Sequence, residues 1–465
     1  MWGDPRSGKT MTDTDIQALK RAALDHLWMP SRDWVNTEAE DGPQIAIKAE
    51  GIRFTDSDGK TWIDIRGGYS SVNVGYGRTD IVEAAHEQML RLHYYPQTST
   101  TEVLVHLLEK LAEISPGSLE RSWPTTGGSE ANETAIKIAK SYHKRTGEAG
   151  RYRIIGRRGS YHGATQGVMW LGGSSSVSDF QPPYPGIVHG PHPLAYRCEL
   201  GGTTPSECAV LCAQAIEDLI VFHGAKTVAA VIAEPVSTSV GCAVPGDEYW
   251  PMLRQICDRH GVILIADEVV TGFGRTGKMF GLEHWDVAPD IMTMSKGISS
   301  SYLPIGGAIV SREIADRFGS DDDHFRQALT FGGHPVAAAA ALKNIEIIES
   351  EGLIQNAAET GAYFKEKLEG LMDRHQMIGD VRGIGMLVAI ELVKDRDTKE
   401  YFPKELGLGK KLTEKFRRES LLLETDGQII GFNPPLCTTR SDVDEIVGVV
   451  DMAMTEAESE LSMSS

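Results

Sequence analysis

The sequence predicts an α/β fold: a large domain on a parallel sheet, then a smaller α+β domain. Three observations carry the prediction. From about residue 100 to 345, helical stretches alternate with short apolar runs, RYRIIGRR, TVAAVIAEP, GVILIADEV, DIMTMSK and GGAIVS, each bounded by glycine, proline or charge; strands alternating with helices imply a parallel sheet covered on both faces. The 49 glycines cluster at the exits of these runs, where backbone must turn sharply or approach a ligand. After about 345 the pattern changes to long charged helices (KNIEIIESEGLIQNAAETGAYFKEKLEGL) and then short strands, GMLVAIELV and QIIGFNP.

Taken in order, the chain opens MWGDPRSGKT, and residues 3–10 match the P-loop pattern G-x-x-x-x-G-K-[ST]. With GVILIADE at 261–268 as a Walker B strand, the pair would describe a nucleotide triphosphatase. Context argues otherwise. Only Met1 and Trp2 precede Gly3, a span of about 7 Å at ~3.3 Å per residue, too short for the buried strand that a P-loop hangs from. Residues 1–10 are therefore expected to be a tail, and a Thr or Asp N-cap in TDTDIQALKRAALDHLW starts a helix. IAIKAEGIRFTDSDGKTWIDI (45–65) reads as a strand pair around a D-G turn that packs with the C-terminal domain. The expected division is a tail at 1–10, an N-terminal segment at 11–69, the large α/β domain at 70–345 and the small α+β domain at 346–465.

Composition excludes several classes of function. A formal net charge of −19 opposes sequence-independent nucleic-acid binding and anionic membrane surfaces. No apolar run approaches the roughly 20 residues of a membrane span, so the expected compartment is the cytoplasm, with no nucleic-acid or membrane partner. Of six cysteines, Cys208 and Cys212 share a helix face in SECAVLCAQAI, but no matching His or Cys pair completes a zinc site. The expectation is buried thiols and no metal.

Three features in the parallel-sheet region point to chemistry. In TTGGSEANETAIKIAK (125–140) a Gly-rich turn runs into a helix, so Gly128 and Ser129 present amides and a hydroxyl to an anion; alone, this is an ordinary capped helix start. Asp267 leaves the ILIAD run at the sheet's carboxyl edge, where α/β folds bind ligands. Lys296 follows DIMTMS and precedes a glycine; such a lysine usually snorkels to the surface, but a desolvated one forms Schiff bases. An anion cradle, a carboxylate and a desolvated amine are what pyridoxal 5'-phosphate needs for its phosphate, its pyridine nitrogen and its aldehyde.

DEVVTGFGRTGKMFG (267–281), SKGIS (295–299), GSEANETAIKIA (128–139), SYHG (160–163), AEPV (233–236) and LTFGGHPVAAAAAL (329–342) resemble, in order, the marker segments of class III pyridoxal-phosphate aminotransferases, the group with the ω-transaminases. The resemblance runs from about residue 26 to 440. It implies fold type I, a ping-pong transfer of an amino group from a primary amine or ω-amino compound to a keto acid such as pyruvate, and a homodimer with shared active sites or a tetramer of such dimers. It also implies roles: Lys296 as Schiff-base lysine and proton carrier, Asp267 on the pyridine nitrogen, Tyr161 and Val269 on the two ring faces, Glu234 at the ring edge, Gly128 and Ser129 on the phosphate, and Thr330 on the same phosphate from the partner subunit. As isolated residues, Tyr161 and Val269 would be read as core packing.

Two departures from the family bear on substrate. Glu424, in LLLETDG, stands where many ω-transaminases carry an arginine that clamps a carboxylate, and Ser70, in RGGYSSVNVGYG, stands where they often have a pocket-narrowing tryptophan. With Trp28 these form the expected substrate pocket, and Arg66 or Arg157 is the expected carboxylate clamp. Competing readings are an aminomutase or decarboxylase of the same fold, a P-loop NTPase, and a non-catalytic binding protein, for which a lysine beside a buried acid has no use.

Overall fold

The computed structural model describes residues 12–463 apart from 30–33, 40–41, 174 and 321–323. The GDPRSGKT stretch thus lies outside the described residues. The first helix, Asp13–His26, starts where the sequence signals it, with Thr12 and Asp15 forming a reciprocal capping box.

Fourteen strands follow: β1 (Ala46–Glu50), β2 (Arg53–Asp56), β3 (Thr61–Asp64), β4 (Leu119–Thr125), β5 (Arg153–Arg157), β6 (Ile187–Gly190), β7 (Val228–Ala233), β8 (Ile263–Asp267), β9 (Ile291–Met294), β10 (Gly306–Ser311), β11 (Ile378–Ile384), β12 (Leu387–Leu392), β13 (Leu421–Leu422) and β14 (Ile429–Phe432). Seven form the large sheet in the order β4-β10-β9-β8-β7-β5-β6. Every residue of β7, β8 and β9 is buried, which is why they read as unbroken apolar runs. The sheet is parallel except at β10, which runs antiparallel to both β9 and β4. Strand β4, LERSWPT, carries too many polar residues to have been legible as an apolar run, and β6, IVHG, is too short.

Helix Gly128–Arg145 buries Ala135, Ile138 and Ala139 against Ile232, Ile265 and Ile291 on one face of this sheet, while Ile216 and Leu253 of helices Pro205–His223 and Tyr249–His260 cover Val231 and Leu264 on the other. The sheet is thereby sandwiched, and its carboxyl edge stays open. C-terminal to it, β11-β12-β14 form an antiparallel sheet packed against helices Leu353–Glu369, Leu408–Arg418 and Arg440–Met463. The 45–65 stretch makes three strands rather than two, and β3 pairs in parallel with β13, so Ile52, Ile63 and Ile65 share a core with Phe364 and Phe432. Helix Pro335–Ser350 crosses the expected boundary at 345 without a break. No described helix is long and apolar enough to cross a membrane.

Candidate active site

Strands β4, β5, β7, β8 and β9 all end at the same edge of the large sheet, and each delivers residues to one cavity of ≈ 700 Å³. That size suits a small cofactor plus substrate. Beyond β4, Thr126 and Gly127 turn the chain into helix Gly128–Arg145, whose N-terminus has no side-chain cap. Its first amides stay available to an anion, and the aligned peptide dipoles favour negative charge there. Gly128 cannot carry a side chain: a Cβ would lie 2.8 Å from Val269 Cγ1. Ser129 Oγ accepts a hydrogen bond from Ala164 N at 3.1 Å.

Asp267, the last residue of β8, is buried on the cavity floor. Its Oδ2 accepts from Asn132 Nδ2 and His162 Nδ1, each at 2.7 Å, and its Oδ1 accepts from Val269 N at 3.1 Å. Thr293 Oγ1 donates to Asn132 Oδ1 at 2.7 Å and so orients the amide. His162 lies between two carboxylates, its Nε2 3.8 Å from Glu234 Oε2. Burial alone would lower the imidazole's pKa, but Glu234 and then Asp267 outweigh it and raise it.

Glu234, just after β7, accepts from Arg157 at 2.7 Å, from Tyr161 N at 3.1 Å and from Ser237 Oγ at 3.0 Å. Burial disfavours its charge, yet His162 and Arg157 more than compensate and hold the carboxyl well below its usual range. Arg157 is almost wholly buried, and its Nη2 donates to both the carbonyl and the carboxylate of Glu234. It does not line the cavity, which removes it as a carboxylate clamp.

Lys296 follows β9 with a left-handed φ of 48°, and its Nζ has no hydrogen-bond or ion-pair partner among the described residues. Burial pushes its pKa down to about 8, with Asp267 opposing and Arg275 assisting. Arg275 itself is buried and bonded to Asn73 and to the carbonyls of Asn433 and Pro434 rather than to a carboxylate. Glu268, the other acid of ILIADE, faces away from this chemistry. It accepts from Thr271 Oγ1 and from the amides of Gly281 and Leu282, binding the loop after β8 to the strand end, and burial pushes its pKa up to about 7.

The cavity's outer wall comes from the N-terminal and C-terminal sheets. Gly67, Gly68, Tyr69 and Ser70 all take left-handed φ values between 51° and 62°, a conformation costing non-glycine residues ~1–2 kcal/mol each. Asp64 sustains the turn by accepting from Arg66 N, Gly68 N and Tyr76 Oη at 3.0, 2.8 and 2.7 Å. The turn sets Arg66, Tyr69 and Ser70 in the wall beside Glu424, Thr425 and Asp426.

Of the residues expected from sequence, Gly128, Ser129, Tyr161, Glu234, Asp267, Val269, Lys296, Ser70 and Glu424 all line this one cavity. Two do not. Trp28 is 85% exposed and packs edge-on against Trp34 at 6.1 Å, away from the cavity; it follows a helix end whose direction the sequence does not encode. Thr330 is exposed, and its carbonyl accepts from Tyr94 Oη at 3.0 Å. Asn132 and His162 were missed. A polar residue on the apolar face of GSEANETAIKIAK was the available signal for Asn132; for His162 there was none beyond its place in SYHG.

The model of the family "Aminotransferase class-III" matches residues 36–454. The putrescine–pyruvate aminotransferase of Pseudomonas aeruginosa is 39% identical over 438 residues, 93% of this chain and 94% of that protein. The (S)-enantioselective omega-transaminase from Thermomicrobium roseum superposes with a TM-score of 0.91 at 38% identity, over 97% of this chain and 99% of its own. An amine transaminase from an uncultivated Pseudomonas species, solved in a PLP-bound internal aldimine form, gives 0.89 at 34% identity, over 93% and 99% of the two chains.

Proposed function

The chain belongs to the class III aminotransferases, pyridoxal-phosphate enzymes that move an amino group to a keto acid, and on that premise we propose that it takes the amino group from a primary amine or diamine, passes it to pyruvate, and uses Lys296 and Asp267 as its catalytic pair. The observation that carries this reading is the meeting of a partnerless, desolvated Lys296 amine, the Asp267 carboxylate and the uncapped Gly128 helix end in one cavity. That donor set fits pyridoxal 5'-phosphate, which when bound supplies a conjugated ring able to accept electrons from the substrate's Cα. The chain does the rest. Lys296 Nζ would hold the cofactor's carbonyl carbon and would carry the proton of the substrate's Cα. Asp267 Oδ1 keeps the ring nitrogen protonated, while Asn132 and His162 fix the carboxylate's orientation from its other oxygen. Tyr161 and Val269 would bracket the ring, Glu234 would stand at its edge, and Ser129 with the Gly128 helix end would hold the phosphate. The test is a panel of amines with pyruvate: alanine should form one-for-one with amine consumed, whereas amine loss without alanine would indicate a decarboxylase or mutase.

The cavity wall favours a cationic donor. Glu424 and Asp426 both line the cavity, and the relative from Pseudomonas aeruginosa is named for putrescine, a diamine. A sheltered charge-assisted hydrogen bond from a distal ammonium to Glu424 contributes roughly 1–3 kcal/mol, equivalent to about ten- to a hundredfold in preference. A diamine should therefore surpass an ω-amino acid of equal length in kcat/KM, and Glu424→Arg should reverse the order; wild type preferring the amino acid defeats the assignment. Arg66, the cavity's arginine, is the clamp proposed for pyruvate, so Arg66→Ala should raise KM for pyruvate at least about tenfold while leaving KM for the amine little changed.

A homodimer accounts for the exposed positions. Val82, Met89, Leu90 and Phe331 are exposed, and exposed apolar side chains on one protomer support a contact with a second. Thr330, beside Phe331, would then reach the partner subunit's phosphate site. Inactive Lys296→Ala mixed with a Thr330→Ala variant of low cofactor affinity should regain activity through hybrid sites, up to about a quarter of wild type. An active enzyme that sediments as a monomer would overturn the shared site.

A further inference from the structure

The helix Pro205–His223 carries Cys208 in its first turn and Cys212 one turn on, with Sγ atoms 3.9 Å apart. Both are buried among Ile155, Ile216 and Leu253. The fold brings a third thiol to them. Cys198, partly exposed on the loop before the helix, completes a trio whose sulphurs all lie within 4.8 Å of one another. We propose that Cys198, Cys208 and Cys212 form a three-sulphur site for a soft, thiophilic metal ion, apart from the transaminase cavity.

Three features support it. A metal in a trigonal thiolate site at about 2.3 Å from each ligand requires sulphurs about 4.0 Å apart, and the Cys208–Cys212 separation already meets that spacing. The Cys198 loop turns tightly ahead of the helix, with Gly201 N donating to Cys198 O at 3.1 Å. The loop is also fixed to the helix. Thr203 N donates to Glu207 Oε2 at 2.8 Å, Glu207 N donates to Thr204 Oγ1 at 3.1 Å, and Gly202 packs so close that a Cβ would lie 2.7 Å from Cys208 N. The ligands therefore need no large rearrangement, and the positive end of the helix dipole offsets part of the added negative charge.

Binding a divalent ion breaks three S–H bonds, forms three metal–sulphur bonds and releases three protons to solvent, with no change of oxidation state, so affinity must rise with pH. Thiolate ligands select thiophilic ions over magnesium or calcium.

Cadmium chloride titrated into the holoenzyme tests the site. Wild type should take up one equivalent per protomer, with an ultraviolet sulphur-to-cadmium charge-transfer band, binding more tightly as pH rises. Cys198→Ser, and Cys198→Ala as a second variant, should lose the band and at least about a hundredfold in affinity while keeping wild-type circular dichroism and transaminase activity; Cys437→Ser should behave as wild type. Absence of the band, pH-independent binding, or binding unchanged in both Cys198 variants would overturn the proposal.

Discussion

Lys296→Ala is expected to abolish transamination. Losing the proton carrier alone removes roughly 10²–10⁴-fold, and losing the covalent attachment adds to that. Borohydride reduction of the wild-type holoenzyme should fix cofactor mass on the peptide carrying Lys296, and a label on any other lysine defeats the reading. The lysine's environment adds a pH signature. Only the neutral amine attacks a carbonyl, and burial has moved the pKa of Lys296 from 10.5 to about 8. Capture of pyridoxal phosphate by apoenzyme should thus quicken as pH rises through about 8 and level off above it. The stability of apoenzyme follows the same sign: between about 8 and 10.5 the unfolded chain binds the proton that the folded chain has released, so this group's contribution to stability increases with pH across that window. Capture that keeps rising toward pH 10.5 would mean that the lysine is not desolvated.

Asp267→Asn should leave the fold and cofactor capture largely intact yet slow proton abstraction by on the order of 10²-fold or more, the usual cost of losing a preorganised electrostatic interaction in the transition state. The amide is nearly isosteric but carries no charge to hold a proton on the pyridine nitrogen. His162 supplies an internal control. Its Nδ1 donates to Asp267 Oδ2, so His162→Gln should lower kcat by less than Asp267→Asn, acting through the orientation of the carboxylate. Single-turnover absorbance of the bound cofactor separates capture from proton transfer. Near-normal turnover of Asp267→Asn would remove Asp267 from the catalytic pair.

Much of the candidate site was legible because buried parallel strands are written as continuous apolar runs and the residues proposed to act lie immediately after them. Asp267 ends ILIAD, Glu234 follows VAAVIA, and Lys296 follows IMTM by two residues. Trp28 lies outside the cavity of its own protomer, against Trp34, because it follows the end of a helix whose packing direction is not encoded locally.

The sequence by itself determined five of the seven strands of the central sheet, the Gly128 turn and the identities of the two proposed catalytic side chains, all properties of contiguous residues. Tertiary structure alone decided the rest. Asn132 and His162 reach Asp267 across 135 and 105 residues, Arg157 is committed to Glu234 across 77, and Cys198 joins two cysteines on a helix that follows it. Such pairings cost chain entropy to close and are chosen by the packing of whole elements. No window of sequence contains both partners, so their chemistry exists only once the strand ends have met at one edge of the sheet.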